Sequence, residues 1–131
     1  MTSLAPTDAV YLPNGRTLVA LGEAGARIML SSRKAADLEE AAADLQAAGI
    51  DARWIAADAS KPDEVQRVCA ETMERLGRVD ILVNNAGAAW GAPFDEFPES
   101  GWDKVVDLNL KSPFFLTQAL HGALKAAGSA A

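Results

Sequence analysis

A four-residue turn motif, Asn84-Asn85-Ala86-Gly87, directly follows a short apolar run at residues 79–83. A run of this length that is rich in β-branched residues predicts a buried strand of a parallel sheet. Open α/β sheets bind ligands at the carboxyl ends of their strands, where small turns of this kind lie. Asparagine tolerates unusual backbone angles, and Ala86 and Gly87 let a flat ring approach the main chain. The motif therefore predicts the floor of a nucleotide site.

Composition narrows the possible classes of protein. The chain has 131 residues, half of them hydrophobic, which is typical of one folded domain. Its net charge of −6 argues against a nucleic-acid partner, because phosphate binding needs clustered Lys and Arg. The single cysteine, Cys69, excludes an intrachain disulfide, and its position on an apolar helical stripe predicts inert core packing. We expect a cytoplasmic protein, since no membrane helix or signal peptide is recognised. No metal site is predicted.

Apolar runs alternate with amphipathic segments, which predicts a layered α/β sheet of parallel strands. A polar surface leader is predicted over residues 1–15. The predicted strands are residues 16–20, 27–30, 53–57 and 79–83. The predicted helices are residues 35–48, a segment from an N-cap at Ser60 to a stop at Gly77, and residues 102–124.

One junction departs from this alternation. Residues 20–26 leave a short connection between the first two predicted strands, whereas a parallel crossover needs about a dozen residues or more. Two explanations stay open: the two strands pair antiparallel through a short turn, or a helix is absent from this chain.

The chain resembles the short-chain dehydrogenase/reductase family in four segments that occur in the family's order. These segments are residues 25–33, residues 57–60, the Asn84–Gly87 motif and residues 102–110. The resemblance implies a Rossmann-like parallel sheet with helices on both faces, incomplete here with about four strands, in a partial dinucleotide-binding domain over residues 16–131. Within the family, residues 90–92 and 100–102 look most similar to the branch that reduces β-ketoacyl thioesters.

Two features of the family pattern have no counterpart. The glycine-rich loop expected after the first strand is missing, because residues 19–23 run into what resembles the end of the first helix. The family's catalytic serine and Tyr-x-x-x-Lys helix would follow Ala131, and the single tyrosine, Tyr11, is not followed by lysine at the fourth position. Two interpretations stay open: an incomplete chain of a reductase, or a non-catalytic fragment or pseudoenzyme that associates through its long helix.

The resemblance implies a catalytic role for Asn109, whose main-chain carbonyl holds a water of the family's proton relay. Pro113 gives a local reason, because proline has no N–H to donate to the carbonyl four residues earlier and its ring pushes that carbonyl aside. The alternative is that Asn109 is only a polar helix residue and Pro113 a helix boundary.

The resemblance also implies the cofactor-binding residues, which are Ser32, Arg33, Asp58, Ala59, Asn85, Ala86 and Gly87. We expect NADP rather than NAD, because arginine pairs with the 2′-phosphate that NAD lacks, and residues 31–34 contain no acid. Asp58 would accept a hydrogen bond from the adenine amino group, and Ala59 would leave room for the ring. Alternatively, Arg33 is only a solvated charge and Asp58 only orders a turn.

The remaining expectations concern partners. The family transfers hydride between a nicotinamide and a carbonyl or alcohol, so a small-molecule substrate of that class is expected, such as a 3-oxoacyl thioester. The resemblance also implies a homodimer or homotetramer formed through the helix predicted at residues 102–124.

Overall fold

The computed structural model describes residues 8–11 and 20–128. These residues form a four-stranded parallel sheet with strand order β3-β2-β1-β4. The strands are β1 (Asp8–Tyr11), β2 (Arg27–Ser32), β3 (Ala52–Ala56) and β4 (Ile81–Val83). The helices are α1 (Ala35–Ala47), α2 (Pro62–Leu76), α3 (Glu99–Val106) and α4 (Ser112–Ala126), with a π-helical segment, Asp107–Lys111, between the last two. The parallel sheet with alternating helices confirms the predicted fold class.

Side chains of β2 alternate between two apolar cores, one on each face of the sheet. Met29 packs among buried residues of α2 and α4. Ile28 and Leu30 point to the opposite face and pack against α1. All three side chains are fully buried, so β2 is a central strand with helices on both faces.

The start of the chain differs from its prediction. Asp8–Tyr11, inside the predicted surface leader, is a strand that pairs with both β2 and β4. Ala20, predicted as the end of the first strand, is helical together with residues 21–23, and residues 16–19 lie outside the described residues. The connection to β2 therefore runs through residues 12–26, long enough for the observed parallel pairing, and the antiparallel alternative is wrong.

Helix α2 has the predicted apolar stripe and the predicted stop. Its buried face includes Cys69, and burial raises the pKa of this thiol to about 11, as expected for an inert core cysteine. Gly77 ends the helix in the left-handed conformation at φ +79°, which glycine adopts without strain. The predicted N-cap is wrong: the helix begins after Lys61, and the hydroxyl of Ser60 instead donates to Asp58.

The carbonyls on the outer side of β3 accept hydrogen bonds from helix side chains. Residues 51 and 57 bond to β2, so the alternate residues 52, 54 and 56 direct their carbonyls away from the sheet. Gln46 Nε2 of α1 donates to the Ala52 carbonyl at 2.7 Å, and Arg75 Nη1 of α2 donates to the Trp54 carbonyl at 3.2 Å.

The third outward carbonyl, that of Ala56, accepts from Arg67 Nη2 at 2.6 Å. The same guanidinium bonds to Glu64 and Glu71, one helical turn away on either side, which raises the arginine pKa and lowers that of Glu64. These contacts fix Arg67 over the strand edge. A capped edge resists pairing with a strand of another molecule.

None of the helices in the described residues is long and apolar enough to cross a bilayer.

Replacing Arg67 by methionine should open the β3 edge to a second copy of the chain. We expect about a twofold rise in weight-average mass with increasing concentration, since edge-to-edge pairing joins two molecules. Sedimentation velocity over a concentration series measures this change. Lys34→Met is the matched control, because Lys34 is an exposed cation whose ion pair is with Asp37. Equal association of both variants and the unchanged chain would contradict the edge-capping role.

Candidate cofactor site

A cavity of about 230 Å³ lies where the carboxyl ends of β2, β3 and β4 meet the long helical region. Its lining combines one cation, two amide or hydroxyl side chains and several small residues. The lining residues are Ser32, Arg33, Ala57, Ala59, Asn85, Ala86, Gly87 and Leu108. Six of the seven predicted cofactor residues therefore converge on one cavity.

Strand direction explains why these residues meet. Ser32 is the last residue of β2, and Ala57 directly follows β3. The two positions are tied together, because the Ala57 N–H donates to the Ser32 carbonyl at 2.8 Å. Parallel strands place their carboxyl ends at the same edge of the sheet, which brings the turn after β4 to the same place.

The chemical character of the cavity differs between its parts. Ala57 is buried and Ala59 is half-buried, so the cavity wall after β3 is apolar and is formed by small side chains. Arg33 lines the cavity and is exposed to solvent, so its guanidinium is accessible for pairing with an anionic ligand. A flat apolar group and an anionic group can therefore be bound side by side.

Asp58 is the predicted cofactor residue that does not line this cavity. Its Oδ1 accepts hydrogen bonds from the Ser60 hydroxyl at 2.6 Å and the Ser60 N–H at 3.0 Å. The hydroxyl bond is the main reason that the pKa of Asp58 lies below its ordinary value, with Lys61 and Arg33 contributing positive charge. A carboxyl with a lowered pKa stabilises the fold above its unfolded pKa, and this contribution disappears as pH falls through the folded pKa. The carboxylate orders the turn, and adenine recognition by Asp58 stays a prediction.

Asn109 connects the long helical region to the turn after β4. Its Oδ1 accepts from the Ala88 N–H at 3.0 Å, and its Nδ2 donates to the Ala88 carbonyl at 2.7 Å. Gly87 makes this approach possible, because a Cβ there would lie 2.8 Å from Asn109 Oδ1. The Asn109 side chain therefore holds the loop in place, a contact that the sequence prediction did not include.

The backbone around Asn109 departs from α-helical geometry. Asp107–Lys111 is a π-helix, in which the Ser112 N–H donates to the Asp107 carbonyl five residues earlier. Pro113 follows with no N–H to donate to the Asn109 carbonyl. Pro113 lies in the first turn of α4, where the π-helical segment gives way to the α-helix, so the interpretation of Pro113 as a helix boundary stays open. The role of the Asn109 carbonyl in a proton relay stays a prediction.

Thr117 contacts the residues after β4 beside the cavity, and the sequence prediction missed it. Its Oγ1 accepts a hydrogen bond from Asn84 Nδ2 at 3.2 Å and donates to the Pro113 carbonyl at 2.7 Å. Thr117 follows Asn109 by eight residues, which is close to two helical turns, so both lie near one helix face. That spacing is the signal that could have identified it. Ala57 and Leu108 were also missed, because an apolar residue carries no chemical signature of a cavity wall.

Residues 15–131 match the model of the short chain dehydrogenase family. The chain is 42% identical over 108 residues to the rhamnolipids biosynthesis 3-oxoacyl-[acyl-carrier-protein] reductase of Pseudomonas aeruginosa, covering 82% of this chain and 42% of that protein. It is 40% identical over 98 residues to the sepiapterin reductase of Chlorobaculum tepidum, covering 75% of this chain and 40% of that protein. The chain thus spans less than half the length of these curated relatives.

Solved structures agree in fold. The RhlG/NADP active-site complex of Pseudomonas aeruginosa has a TM-score of 0.85 at 38% identity, covering 98% of this chain and 52% of that one. An NADH-dependent reductase complexed with NAD has a TM-score of 0.85 at 28% identity, covering 94% and 54%. The fold defines a Rossmann-like architecture. The chain belongs to the short-chain dehydrogenase family.

Substitution of Gly87 by alanine should break the contact between Asn109 and Ala88. The new Cβ would lie too close to Oδ1, and we expect about fivefold faster amide exchange at Ala88, equivalent to about 1 kcal/mol. Hydrogen exchange followed by NMR measures this rate. Gly91→Ala is the matched control, since a Cβ at Gly91 meets no atom within 4 Å. If both variants exchange at the same rate, Asn109 does not hold the loop.

Proposed function

We propose that this chain is the cofactor-binding part of an NADP-dependent oxidoreductase that acts on a carbonyl or alcohol. The observation that carries the proposal is the convergence of Ser32, Arg33, Ala59 and the turn after β4 on one cavity. The bound nicotinamide would supply or accept the hydride. The protein residues bind and orient the adenosine half of that cofactor.

The residues present fit the cofactor. Arg33 and Ser32 donate hydrogen bonds suited to the 2′-phosphate of NADP, and no acid stands at residues 31–34 to favour the free 2′-hydroxyl of NAD. Ala57 and Ala59 leave space for the adenine ring, while Asn85, Ala86 and Gly87 would pack under the ribose. Asp58 keeps Oδ2 for the adenine amino group, because both bonds from Ser60 go to Oδ1.

Asn109 would act in proton transfer through its main chain. Its side chain is engaged with Ala88, and Pro113 offers its carbonyl no N–H. The carbonyl can therefore hold a water, as the family's relay requires. The tyrosine, lysine and serine of that relay have no counterpart in this sequence, whose one tyrosine is Tyr11, so we expect no turnover from these residues alone.

A β-ketoacyl thioester is the substrate class that we favour. The relative with 42% identity is named as a 3-oxoacyl-[acyl-carrier-protein] reductase. The segments at residues 90–92 and 100–102, which resemble that branch, contact each other. The Trp90 indole packs against Gly101, where a Cβ would lie 2.7 Å from Trp90 Cδ1.

The long helical region also favours association into a homodimer or homotetramer. Three of its large apolar side chains are more than 60% exposed: Trp102, Leu110 and Phe114. Large exposed apolar side chains on one helical region favour protein–protein contacts. The same observation supports the second candidate function, a non-catalytic fragment or pseudoenzyme that acts by association alone.

Titration with 2′,5′-ADP and 5′-AMP distinguishes the two functions, because only the first carries the 2′-phosphate. Calorimetry should show tighter binding of 2′,5′-ADP, and Arg33→Asp should reduce this preference about tenfold, since a charge-assisted pair contributes about 1.5–3 kcal/mol. Lys34→Asp is the control, because Lys34 is adjacent in sequence but does not line the cavity.

An unchanged preference in Arg33→Asp would contradict NADP selection by this residue. Binding of neither nucleotide, together with persistent self-association, would favour the non-catalytic alternative.

A further inference from the structure

Thr117 and Asn109 bind opposite ends of the same turn. Thr117 receives a hydrogen bond from Asn84, the first residue after β4, and Asn109 holds Ala88 at the other end. The residues between them, Asn85, Ala86 and Gly87, line the cavity. The cavity-lining residues therefore lie between two hydrogen-bonded positions, Asn84 and Ala88, and both of these bond to the same helical region.

The Thr117 hydroxyl also fixes which way the Asn84 amide faces. A hydroxyl carries one hydrogen, and in Thr117 that hydrogen is donated to the Pro113 carbonyl at 2.7 Å. Towards Asn84 the hydroxyl oxygen can therefore only accept, so the NH₂ group of Asn84 faces the helix and its Oδ1 faces away. An apolar side chain of the same shape could not select this orientation.

We propose that Thr117 is a positioning residue for the cofactor site, setting the Asn84–Gly87 turn against the helix through its hydroxyl. The proposal rests on the proposed function for the identity of the ligand, and on geometry alone for the ordering of the turn. Both Asn84 and Thr117 are exposed, so water competes for the contact and its effect is moderate.

The test compares Thr117→Val, which keeps the shape and removes the hydroxyl, with Thr117→Ser, which keeps the hydroxyl. Thr72→Val is the matched control: Thr72 is a fully buried threonine of α2, and within the described residues its hydroxyl has no hydrogen-bond partner. Two readouts are used, amide hydrogen exchange at residues 85–88 and the dissociation constant for 2′,5′-ADP.

Thr117→Val should speed exchange at residues 85–88 by about 2- to 10-fold, leave residues 35–47 of α1 unchanged, and weaken 2′,5′-ADP binding by a similar factor. Thr117→Ser and Thr72→Val should behave like the unchanged chain at the turn. Unchanged exchange in Thr117→Val, or a uniform increase along the whole chain, would overturn the positioning role. If the unchanged chain binds no 2′,5′-ADP, the proposed function fails, while the exchange rates still decide the role of Thr117.

Discussion

The pair of hydrogen bonds between the Asn109 side chain and the Ala88 backbone connects the sheet to the long helical region at the site. An asparagine amide offers one acceptor and two donors, so it can satisfy both backbone groups of a single residue as a neighbouring strand would. In this protein the Asn109 amide forms the two backbone hydrogen bonds of Ala88 that a neighbouring strand would otherwise form. The contact lies directly beside the cavity lining, because Gly87 lines the cavity and a Cβ there would lie 2.8 Å from Asn109 Oδ1.

The contact in turn depends on a local defect in the helix. The π-helical segment Asp107–Lys111 adds a residue to one helical turn. The side chains after this segment are therefore rotated about the helix axis relative to those before it. After the segment, Ser112, Leu116 and Leu120 are buried and fix α4 against α2 and the sheet. Packing therefore fixes α4, and the π-helical turn before it places the Asn109 side chain within hydrogen-bond distance of Ala88.

Sequence patterns predicted most of the fold because β2, β3 and α2 show clear periodicity and α2 ends at a glycine. The first strand was misplaced because the short apolar run at residues 16–20 fits strand and helix patterns equally well, and periodicity cannot separate them. Ser60 was misassigned as an N-cap because the helix begins one residue later than predicted, after Lys61. An N-cap hydroxyl accepts from a backbone N–H, whereas the Ser60 hydroxyl donates to the Asp58 carboxylate in the turn before the helix.

The site was predictable to the extent that it consists of strand ends. Ser32, Arg33 and Asn85 were grouped through the family resemblance, and strand direction explains the grouping, because parallel strands end at a common edge. The side-chain contacts of Asn109 and Thr117 could not be predicted, because they depend on how far the helical region lies from the turn. The spacing from Asn109 could place Thr117 on the same helix face, but it does not reveal that its hydrogen-bond partner is Asn84, 33 residues earlier.

The side chains over β3 have a consequence for how this sheet can be extended. All three outward carbonyls of β3 already accept hydrogen bonds, whereas β4 forms the opposite margin of the described sheet. Any additional strand is therefore directed to the β4 side. Loops that follow such strands would lie near Asn109 and the turn after β4, and far from Arg33. The part of the site beside β4 can therefore gain residues while the part beside Arg33 keeps its shape.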